Sequence, residues 1–335
     1  MGRKLRIGLL GLGDMGKVHA RTLSRLPNVE LTIASRRADV AKEIAEKYNI
    51  KNYVTNYDDV FKNPEIDAVV VATACTEHEE HIIKAAQAGK DIWTEKPIAF
   101  SREAVNNVLN AVKKAGVRFQ VGFMRRYSPD YAEAKKQIDA GVVGKPVMFK
   151  STSRDPFWPE KQDGPGYNST FLDLAVHDID LARWLMKSEV KRVYAIGDAL
   201  VYPKLKSFGD CDNAIATFTM ESGAMATVDF SRNARYGYHV TSEVLGDEGA
   251  LQIGGIQQTP MLVLTRKGVT HDVHPWYMDR FKTAFELEIE AFVDALSSGQ
   301  KELTPSGEDG RKATQVALAL LKSYETGMAV DVDYS

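Results

Sequence analysis

The sequence contains few cysteines, no excess of basic residues and no long apolar run. Its two cysteines, Cys75 and Cys211, stand far apart and lack the spacing of metal ligands. The sequence therefore suggests neither a disulfide framework nor a metal site, and we expect reduced thiols. A net charge of -2 provides no basic field for nucleic acid or an anionic membrane.

No segment approaches the ~18 consecutive apolar residues that a membrane-spanning helix needs. The residues before the first predicted strand, Met-Gly-Arg-Lys, include no apolar signal region. With 44% hydrophobic and 26% charged residues, the composition is that of an ordinary globular protein. We therefore expect a soluble, cytoplasmic protein, and its 335 residues allow two packed domains.

A glycine-rich turn follows the first predicted strand. Residues 5–10 form a short apolar run interrupted only by Arg6, residues 11–16 read Gly-Leu-Gly-Asp-Met-Gly, and a helical pattern continues to Leu26. In this setting the first glycine permits the tight turn, the second lets a pyrophosphate approach the backbone, and the third lets the helix close on the strand. We predict a dinucleotide site, with an ordinary glycine-rich turn as the alternative. The candidate cofactor contacts are Gly11, Gly13, Asp14, Met15 and Gly16.

The second predicted strand, Val29 to Ala34, ends where such a site distinguishes NAD from NADP. An acidic residue there would bind the ribose 2′-hydroxyl of NAD and repel a 2′-phosphate. This chain instead has Ser35, Arg36 and Arg37, a hydroxyl and two guanidinium groups that suit a phosphate dianion. We predict that NADP is preferred and that NAD is possible. The alternative is a pair of solvated arginines that leaves the cofactor choice to other contacts.

Two later strands also end in polar turns. The apolar run from Ile66 to Ala72 suits a strand buried on both faces of a parallel sheet, and Asp91 to Thr94 is the next short strand. Ligands bind at the carboxyl ends of such strands. The lysine of Glu-Lys-Pro cannot easily continue a helix, so we expect its side chain to be directed into the site. A surface lysine is the alternative. The candidate cofactor residues are Thr73, His78, Glu95 and Lys96.

A buried helix in the second half of the chain carries polar residues on one side. Residues 169–186 are apolar nearly all the way round the predicted helix, whereas Asp173, His177 and Asp180 stand at i, i+4 and i+7. Burying a carboxylate beside an imidazole is costly unless both have partners or a function. These residues are therefore candidates for catalysis or binding, and a satisfied core histidine with a capping aspartate is the alternative.

The pattern of elements predicts an α/β fold with two domains. Strands and helices alternate through residues 1–122, which indicates a Rossmann domain with a doubly wound parallel sheet. From residue 146 onward, strands with period-two alternation and tight turns indicate a large, mostly antiparallel open sheet. We assign residues 123–335 to a domain for substrate binding and oligomerisation, whose last helices could pack back on the first domain. Its free sheet face could bind another subunit.

Together these motifs resemble the Gfo/Idh/MocA oxidoreductases, and among them the inositol 2-dehydrogenases, over essentially the whole chain. The motifs that carry the resemblance are residues 11–16, Glu95-Lys96-Pro97, Gly122 to Tyr127, Ser153 to Pro156, Phe171 to Asp173 with His177 to Asp180, and Tyr236 to Tyr238. Two features depart from the family. Ser35 stands where its NAD-dependent inositol dehydrogenases carry Asp, and residues 157–168, which could reshape a substrate pocket, match no part of it.

The resemblance implies catalysis by Lys96, Asp173 and His177 in a cleft between the domains, with subunits that pair through the sheet into dimers or tetramers. The reaction implied is oxidation of a secondary alcohol of myo- or scyllo-inositol to an inosose. His177 would act as the base, Lys96 would stabilise the developing alkoxide, and Asp173 would orient hydroxyls and bias the imidazole. The implied substrate contacts are Met124, Arg125, Asp155, Asp173, His177, Asp180 and Tyr236.

Several alternatives remain open from sequence alone. Arg125 could form an interdomain salt bridge, Asp180 could pair with Arg183 or Lys187, and Tyr236 could belong to the core. The substrate could be an aldose or another pyranose, because a sugar ring presents a similar array of hydroxyls. A non-catalytic dinucleotide-binding regulator is a further alternative. The joint presence of the three candidate catalytic residues counts against it.

Overall fold

The structure is a computed structural model that describes residues 3–158 and 169–335. The chain divides into two compact units, the first comprising residues 1–124 and 283–314 and the second residues 125–282 and 315–335. Most of the segment that matched no part of the family, residues 159–168, lies outside the described residues. None of the helices in the described ranges is both long and apolar enough to cross a bilayer.

The first unit contains the predicted parallel sheet. Six strands pair in the order β3-β2-β1-β4-β5-β6, and every pairing is parallel. The order reverses between β1 and β4, the point at which doubly wound sheets bind ligands. The Rossmann prediction is therefore confirmed. The strands are β1 (Leu5–Leu10), β2 (Val29–Ala34), β3 (Asn52–Val54), β4 (Ala68–Val71), β5 (Asp91–Glu95) and β6 (Phe119–Gly122).

Helices cover this sheet and bury its apolar side chains. Ile7, Leu9 and Val70 pack in one core with Trp93, and Phe292 joins them from a helix near the carboxyl end of the chain. The helices that follow the strands are α1 (Asp14–Arg25), α2 (Ala38–Tyr48), α3 (Tyr57–Lys62), α4 (His78–Gln87) and α5 (Arg102–Ala115). The last helices are α8 (Tyr277–Ser297), in which Phe281 is non-helical, and α9 (Gly307–Thr326).

The second unit contains a seven-stranded sheet in the order β12-β11-β7-β10-β9-β8-β15. Its pairings are antiparallel except that of β7 with β10, which confirms the mostly antiparallel prediction. The parallel pair is possible because a long connection, rather than a tight turn, joins the two strands. The strands are β7 (Pro146–Arg154), β8 (Val190–Asp198), β9 (Asn213–Met220), β10 (Met225–Ser231), β11 (His239–Gly246), β12 (Ala250–Gly254) and β15 (Val330–Asp331), beside a separate hairpin of β13 (Leu262–Thr265) and β14 (Gly268–His271).

One face of this sheet is open. Tyr194, Ile196, Ile215 and Met225 are exposed, and their strand neighbours alternate inward. The other face is covered in part by α7 (Val176–Met186), which contacts β7. Helix α6 (Pro129–Asp139) contacts β12.

The predicted continuous helix over residues 169–186 is corrected by the structure. Phe171–Ala175 forms a π-helical turn, and the α-helix begins only at Val176. A π turn uses i→i+5 hydrogen bonds and holds more residues than an α turn. Asp173 is therefore not related to His177 by the simple i, i+4 rule from which their common face was predicted.

Candidate active site

The glycine-rich turn has the shape that a dinucleotide pyrophosphate requires. Gly11 has a φ of 88°, and a Cβ there would lie 2.4 Å from the carbonyl oxygen of Ala72. A Cβ on Gly16 would lie 2.1 Å from the carbonyl oxygen of Gly11. At Gly13, by contrast, a Cβ would meet nothing within 4 Å among the described residues, and none of their side chains caps the amino terminus of α1. The amides at the start of α1 are thus available to an anion.

The three residues predicted to recognise a 2′-phosphate lie together at the end of β2. Ser35 is buried, and its hydroxyl accepts a hydrogen bond from the amide of Arg37 at 3.2 Å. Arg36 is 66% exposed and pairs with Glu77 at 2.6 Å, with its guanidinium over the ring of Tyr57. The hydroxyl therefore stabilises the turn, while the Arg36 guanidinium lies at the surface in contact with an acidic partner.

His78 links two of the predicted cofactor turns. Its ring is fully buried, with Nδ1 2.8 Å from the carbonyl oxygen of Pro97 and Nε2 3.2 Å from that of Thr73. Burial lowers the pKa of His78, so the neutral ring donates one hydrogen bond, and the shorter distance indicates Pro97 as the acceptor. His78 thus holds the turn after β4 against the turn after β5. A contact between its ring and the cofactor stays a prediction.

Glu95 and Lys96 stand at the carboxyl end of β5. The Lys96-Pro97 peptide bond is cis, and both Glu95 and Lys96 are partly buried. Oε1 of Glu95 lies 2.8 Å from Nε2 of His19, which belongs to α1. His19 was not among the residues singled out from the sequence, because a histidine inside an amphipathic helix gives no sign of what it contacts.

In the second unit, a buried arginine brings two predicted site carboxylates together. Arg232 is 2% exposed, and its Nη2 lies 3.2 Å from Oδ2 of Asp173, while its Nη1 lies 3.9 Å from Oδ2 of Asp155. Its Nε donates to the hydroxyl of Thr170 at 3.3 Å. Sequence reasoning missed Arg232, whose one signal is its position two residues after the predicted strand Ala224 to Phe230. His177, on α7, is 7% exposed.

Arg125 belongs to a buried network. Its Nη1 donates to Oδ1 of Asp178 at 2.8 Å, and its Nη2 donates to Ser153 at 2.9 Å. Ser151 donates to the same carboxylate oxygen at 2.6 Å. Burial opposes the charge of Arg125 and is the largest single effect on its pKa, but the attractions of Asp178, Tyr238 and Tyr131 together outweigh it, and the pKa of the guanidinium is raised. Both side chains of the pair are almost fully enclosed and both belong to the second unit, so this salt bridge is not an interdomain one, and a substrate contact by Arg125 stays a prediction.

The neighbouring residues form a second pair. Arg126 donates to both carboxylate oxygens of Asp180, at 2.8 and 2.5 Å, and Arg183 lies 3.9 Å from the same carboxylate. Asp180 is 1% exposed. The two arginines therefore hold Asp180 within the protein, and a direct substrate contact by Asp180 stays a prediction.

Tyr236 lies apart from the core, contrary to one of the alternatives left open by the sequence. It is 48% exposed, and its hydroxyl lies 2.8 Å from Nδ1 of His239 and 3.4 Å from Nη1 of Arg154. Tyr236 and Arg154 line a cavity of about 570 Å³ on the second unit. The sequence had not singled out Arg154 or His239 as site candidates.

The structure combines a Rossmann sheet, a glycine turn open to an anion, and a second unit with paired buried charges. These features define a dinucleotide-binding protein of the oxidoreductase class. Comparison with known families supports this class and refines it. Residues 5–123 match the family described as "Oxidoreductase family, NAD-binding Rossmann fold", and residues 131–252 match the "GFO/IDH/MocA C-terminal domain".

Individual relatives match over the full length. The chain is 34% identical to the scyllo-inositol 2-dehydrogenase (NAD(+)) of Bacillus subtilis, over 99% of this chain and 98% of that protein. It is 31% identical to the myo-inositol 2-dehydrogenase of Thermotoga maritima, over 98% and 99% of the two chains. The solved structure of Lactobacillus casei scyllo-inositol dehydrogenase with bound cofactor NAD(H) and scyllo-inositol superposes with a TM-score of 0.92 at 30% identity, over 98% of this chain and 99% of that one. The chain belongs to the Gfo/Idh/MocA family of oxidoreductases.

We expect Asp178→Asn to lower the free energy of unfolding by about 3 kcal/mol or more, because it leaves Arg125 buried without its counter-charge. Denaturant unfolding followed by circular dichroism measures the change. The matched control is Glu243→Gln, which removes a more exposed partner, 3.8 Å from Lys150 on neighbouring strands of the same sheet, and should change stability little. Equal losses in the two variants would contradict the assignment.

We expect Arg232→Lys to lower nicotinamide-linked turnover by about 10-fold or more, because a lysine cannot hold Thr170 and Asp173 in the same fork. Cofactor affinity should change less than about twofold. Arg192→Lys, in an exposed ion pair with Asp331, is the control and should leave turnover intact. Steady-state kinetics check the prediction, and normal turnover in Arg232→Lys would rule out a positioning role.

Proposed function

We propose that the protein is an NAD(P)-dependent dehydrogenase that oxidises a secondary alcohol of a cyclitol, myo- or scyllo-inositol, to an inosose. The observation that carries the proposal is the presence of Lys96, Asp173 and His177 in a chain that aligns over its full length with proteins named as inositol 2-dehydrogenases. A non-catalytic dinucleotide sensor would have no need of all three side chains.

Each of the three residues has a chemical role in this proposal. His177 accepts the proton of the substrate hydroxyl, because an imidazole titrates near neutral pH. Lys96 donates a hydrogen bond to the same oxygen and stabilises its negative charge as the proton leaves. Asp173, held by Arg232, accepts hydrogen bonds from ring hydroxyls and favours the charged imidazole. The nicotinamide, when bound, supplies the hydride acceptor.

A cyclitol has many similar hydroxyl groups, so one ring carbon must be selected by several polar contacts. Asp155 and Asp173 suit this task because both carboxylates are partly exposed and both lie near the guanidinium of Arg232. We therefore propose that they contact neighbouring ring hydroxyls. Met124, Arg125, Asp180 and Tyr236 complete the proposed set, and the family resemblance is the main reason for each of these four.

A separate proposal concerns the choice between NADP and NAD. The sequence Ser35-Arg36-Arg37 at the end of β2 lacks the carboxylate that would repel a 2′-phosphate, so we propose that NADP is preferred over NAD. Arg36 would have to exchange its contact with Glu77 for the phosphate, which is possible for an exposed pair.

We also propose that the open face of the seven-stranded sheet joins subunits into a dimer or tetramer, because it exposes apolar side chains.

The function is tested by initial rates of NADP and NAD reduction, measured by nicotinamide absorbance, with myo-inositol, scyllo-inositol and glucose as parallel substrates. Turnover with either inositol supports the proposal. Faster turnover with glucose would indicate a pyranose dehydrogenase. If the protein binds cofactor but turns over none of the three, other sugars should be tested first and a non-catalytic role next.

We expect Lys96→Ala and His177→Ala each to lower turnover by at least ~100-fold while cofactor affinity stays nearly unchanged. The reason is that both side chains act on the reacting oxygen and not on the dinucleotide backbone. Single-turnover kinetics and cofactor titration separate the two effects. Turnover that survives either substitution would remove that residue from the mechanism.

We expect Ser35→Asp to shift the preference toward NAD, because the new carboxylate would repel a 2′-phosphate and accept hydrogen bonds from a ribose hydroxyl. The measurement is the ratio of kcat/KM for NADP to kcat/KM for NAD in the variant and the parent protein. Ser35→Ala is the control, since it removes the hydroxyl without adding charge. An unchanged ratio in Ser35→Asp would contradict a 2′-phosphate site at this turn.

A further inference from the structure

Glu288 is a buried acid that the proposed reaction does not use. It lies on α8, in the part of that helix that belongs to the first unit, and is 1% exposed. Neither of its carboxyl oxygens has a hydrogen-bond partner among the described residues. An ionisable group in such a position costs stability unless it interacts with something nearby.

Two polar residues of the same unit stand beside Glu288. Ligand atoms of His19, Glu95 and Glu288 all lie within 4.8 Å of one another. Nε2 of His19 is hydrogen-bonded to Oε1 of Glu95 at 2.8 Å, and the His19 ring packs edge-on against Trp93, with 4.7 Å between ring centroids. Nδ1 of His19 has no partner in the described part of the chain. These side chains come from α1, β5 and α8 and lie close together at the carboxyl end of β5.

The protonation of Glu288 follows from its surroundings. Burial raises its pKa well above 4.5, and the charge of Glu95 raises it further. Glu288 therefore keeps its proton to a higher pH than an exposed glutamate does. When protonated, its carboxyl group has one hydrogen-bond donor, and the ligand atoms of Glu95 and His19 lie within 4.8 Å of it.

We propose that Glu288 is a positioning residue which, with His19, fixes the side chain of Glu95 and thereby the adjoining Lys96. Glu95 is hydrogen-bonded to His19 of α1 and has Glu288 of α8 beside it, within 4.8 Å, and both elements are distant from it in sequence. Its orientation then determines where the next residue, Lys96, leaves the end of β5. The inference deepens the proposed function, because it gives Lys96 the catalytic role stated above.

A metal site at these residues is the competing explanation. It would use the same three ligand atoms, but the His19 and Glu95 atoms are already joined at hydrogen-bond distance, so a proton lies between them. A cation would have to displace that proton and ionise Glu288. The hydrogen-bonded arrangement therefore favours positioning, and metal analysis belongs in the test.

The test compares Glu288→Gln, which keeps the shape and a donor, with Glu288→Leu, which removes both. Glu286→Gln is the control, because Glu286 lies on the same helix in a partly exposed pair with Arg21 of α1. In the full-length protein with NAD and myo-inositol, we expect Glu288→Leu to lower kcat at least ~10-fold with little change in the inositol KM. Glu288→Gln should retain at least about a third of the turnover, and the control should match the parent.

Two further readouts do not depend on turnover. NAD titration should show weaker binding to Glu288→Leu than to Glu288→Gln, because Glu95 is a candidate cofactor contact.

The pH dependence of the melting temperature should also differ between the variants. Glu288 keeps its proton to a higher pH in the folded protein than in the unfolded chain, where it ionises above about pH 4.5, so the parent loses stability as pH rises above that value. Relative to the parent, Glu288→Gln should gain melting temperature as pH rises above about 4.5, and the Glu286→Gln control should not.

The outcomes are separable. Normal kcat and normal NAD binding in Glu288→Leu would overturn the positioning role, as would a Glu288→Gln variant whose melting temperature tracks that of the parent at every pH. Stoichiometric divalent metal in the purified parent, lost in Glu288→Gln, would also overturn it in favour of a metal site. If the parent turns over no inositol, the proposed function fails, and NAD binding and melting still decide the role of Glu288.

Discussion

Burial of charge is the constraint on which the second unit depends. A buried ion loses several kcal/mol of hydration, so each must face a partner in good geometry. Arg125 faces Asp178, Arg126 faces Asp180, and Arg232 faces Asp173. The pairs involve α7 and the π turn before it, and they connect these elements to neighbouring segments and strands of the unit. His177 lies between residues fixed in this way, so its position is set by ion pairs rather than by apolar packing alone.

The first unit positions its candidate site residues with close backbone contacts and with hydrogen bonds from histidine rings. In the glycine turn, Gly11 and Gly16 lack the Cβ atoms that would collide with neighbouring backbone. Polar side chains contact the residues at and after the carboxyl ends of the strands. His78 ties the turn after β4 to the turn after β5, and His19 contacts Glu95. These contacts join imidazole rings to carbonyl and carboxylate oxygens and involve no arginine. They hold the turns in place before any ligand arrives, which lowers the entropy that binding must overcome.

Local patterns predicted the elements and several of the candidate residues, because their signals are short-range. Strand, glycine turn and helix occur within residues 5–26, and the alternation of β9 and β10 is visible over a few residues. The π turn at Phe171–Ala175 could not be predicted, since its hydrogen-bond register is set by tertiary packing. Nor could the short strands β3 and β15, which exist because a longer neighbour offers them hydrogen bonds.

The sequence by itself determined the fold class and the glycine turn, because backbone freedom and side-chain periodicity are local properties, and its motifs carried the resemblance to the family. The tertiary structure decided which charged groups meet. Arg232 stands 59 residues from Asp173, and Arg125 stands 53 residues from Asp178. No spacing rule connects such residues, since their contact depends on how strands and helices from different parts of the chain pack. Glu288 shows the same point most clearly, because only the fold brings a late helix against the strand that carries Glu95.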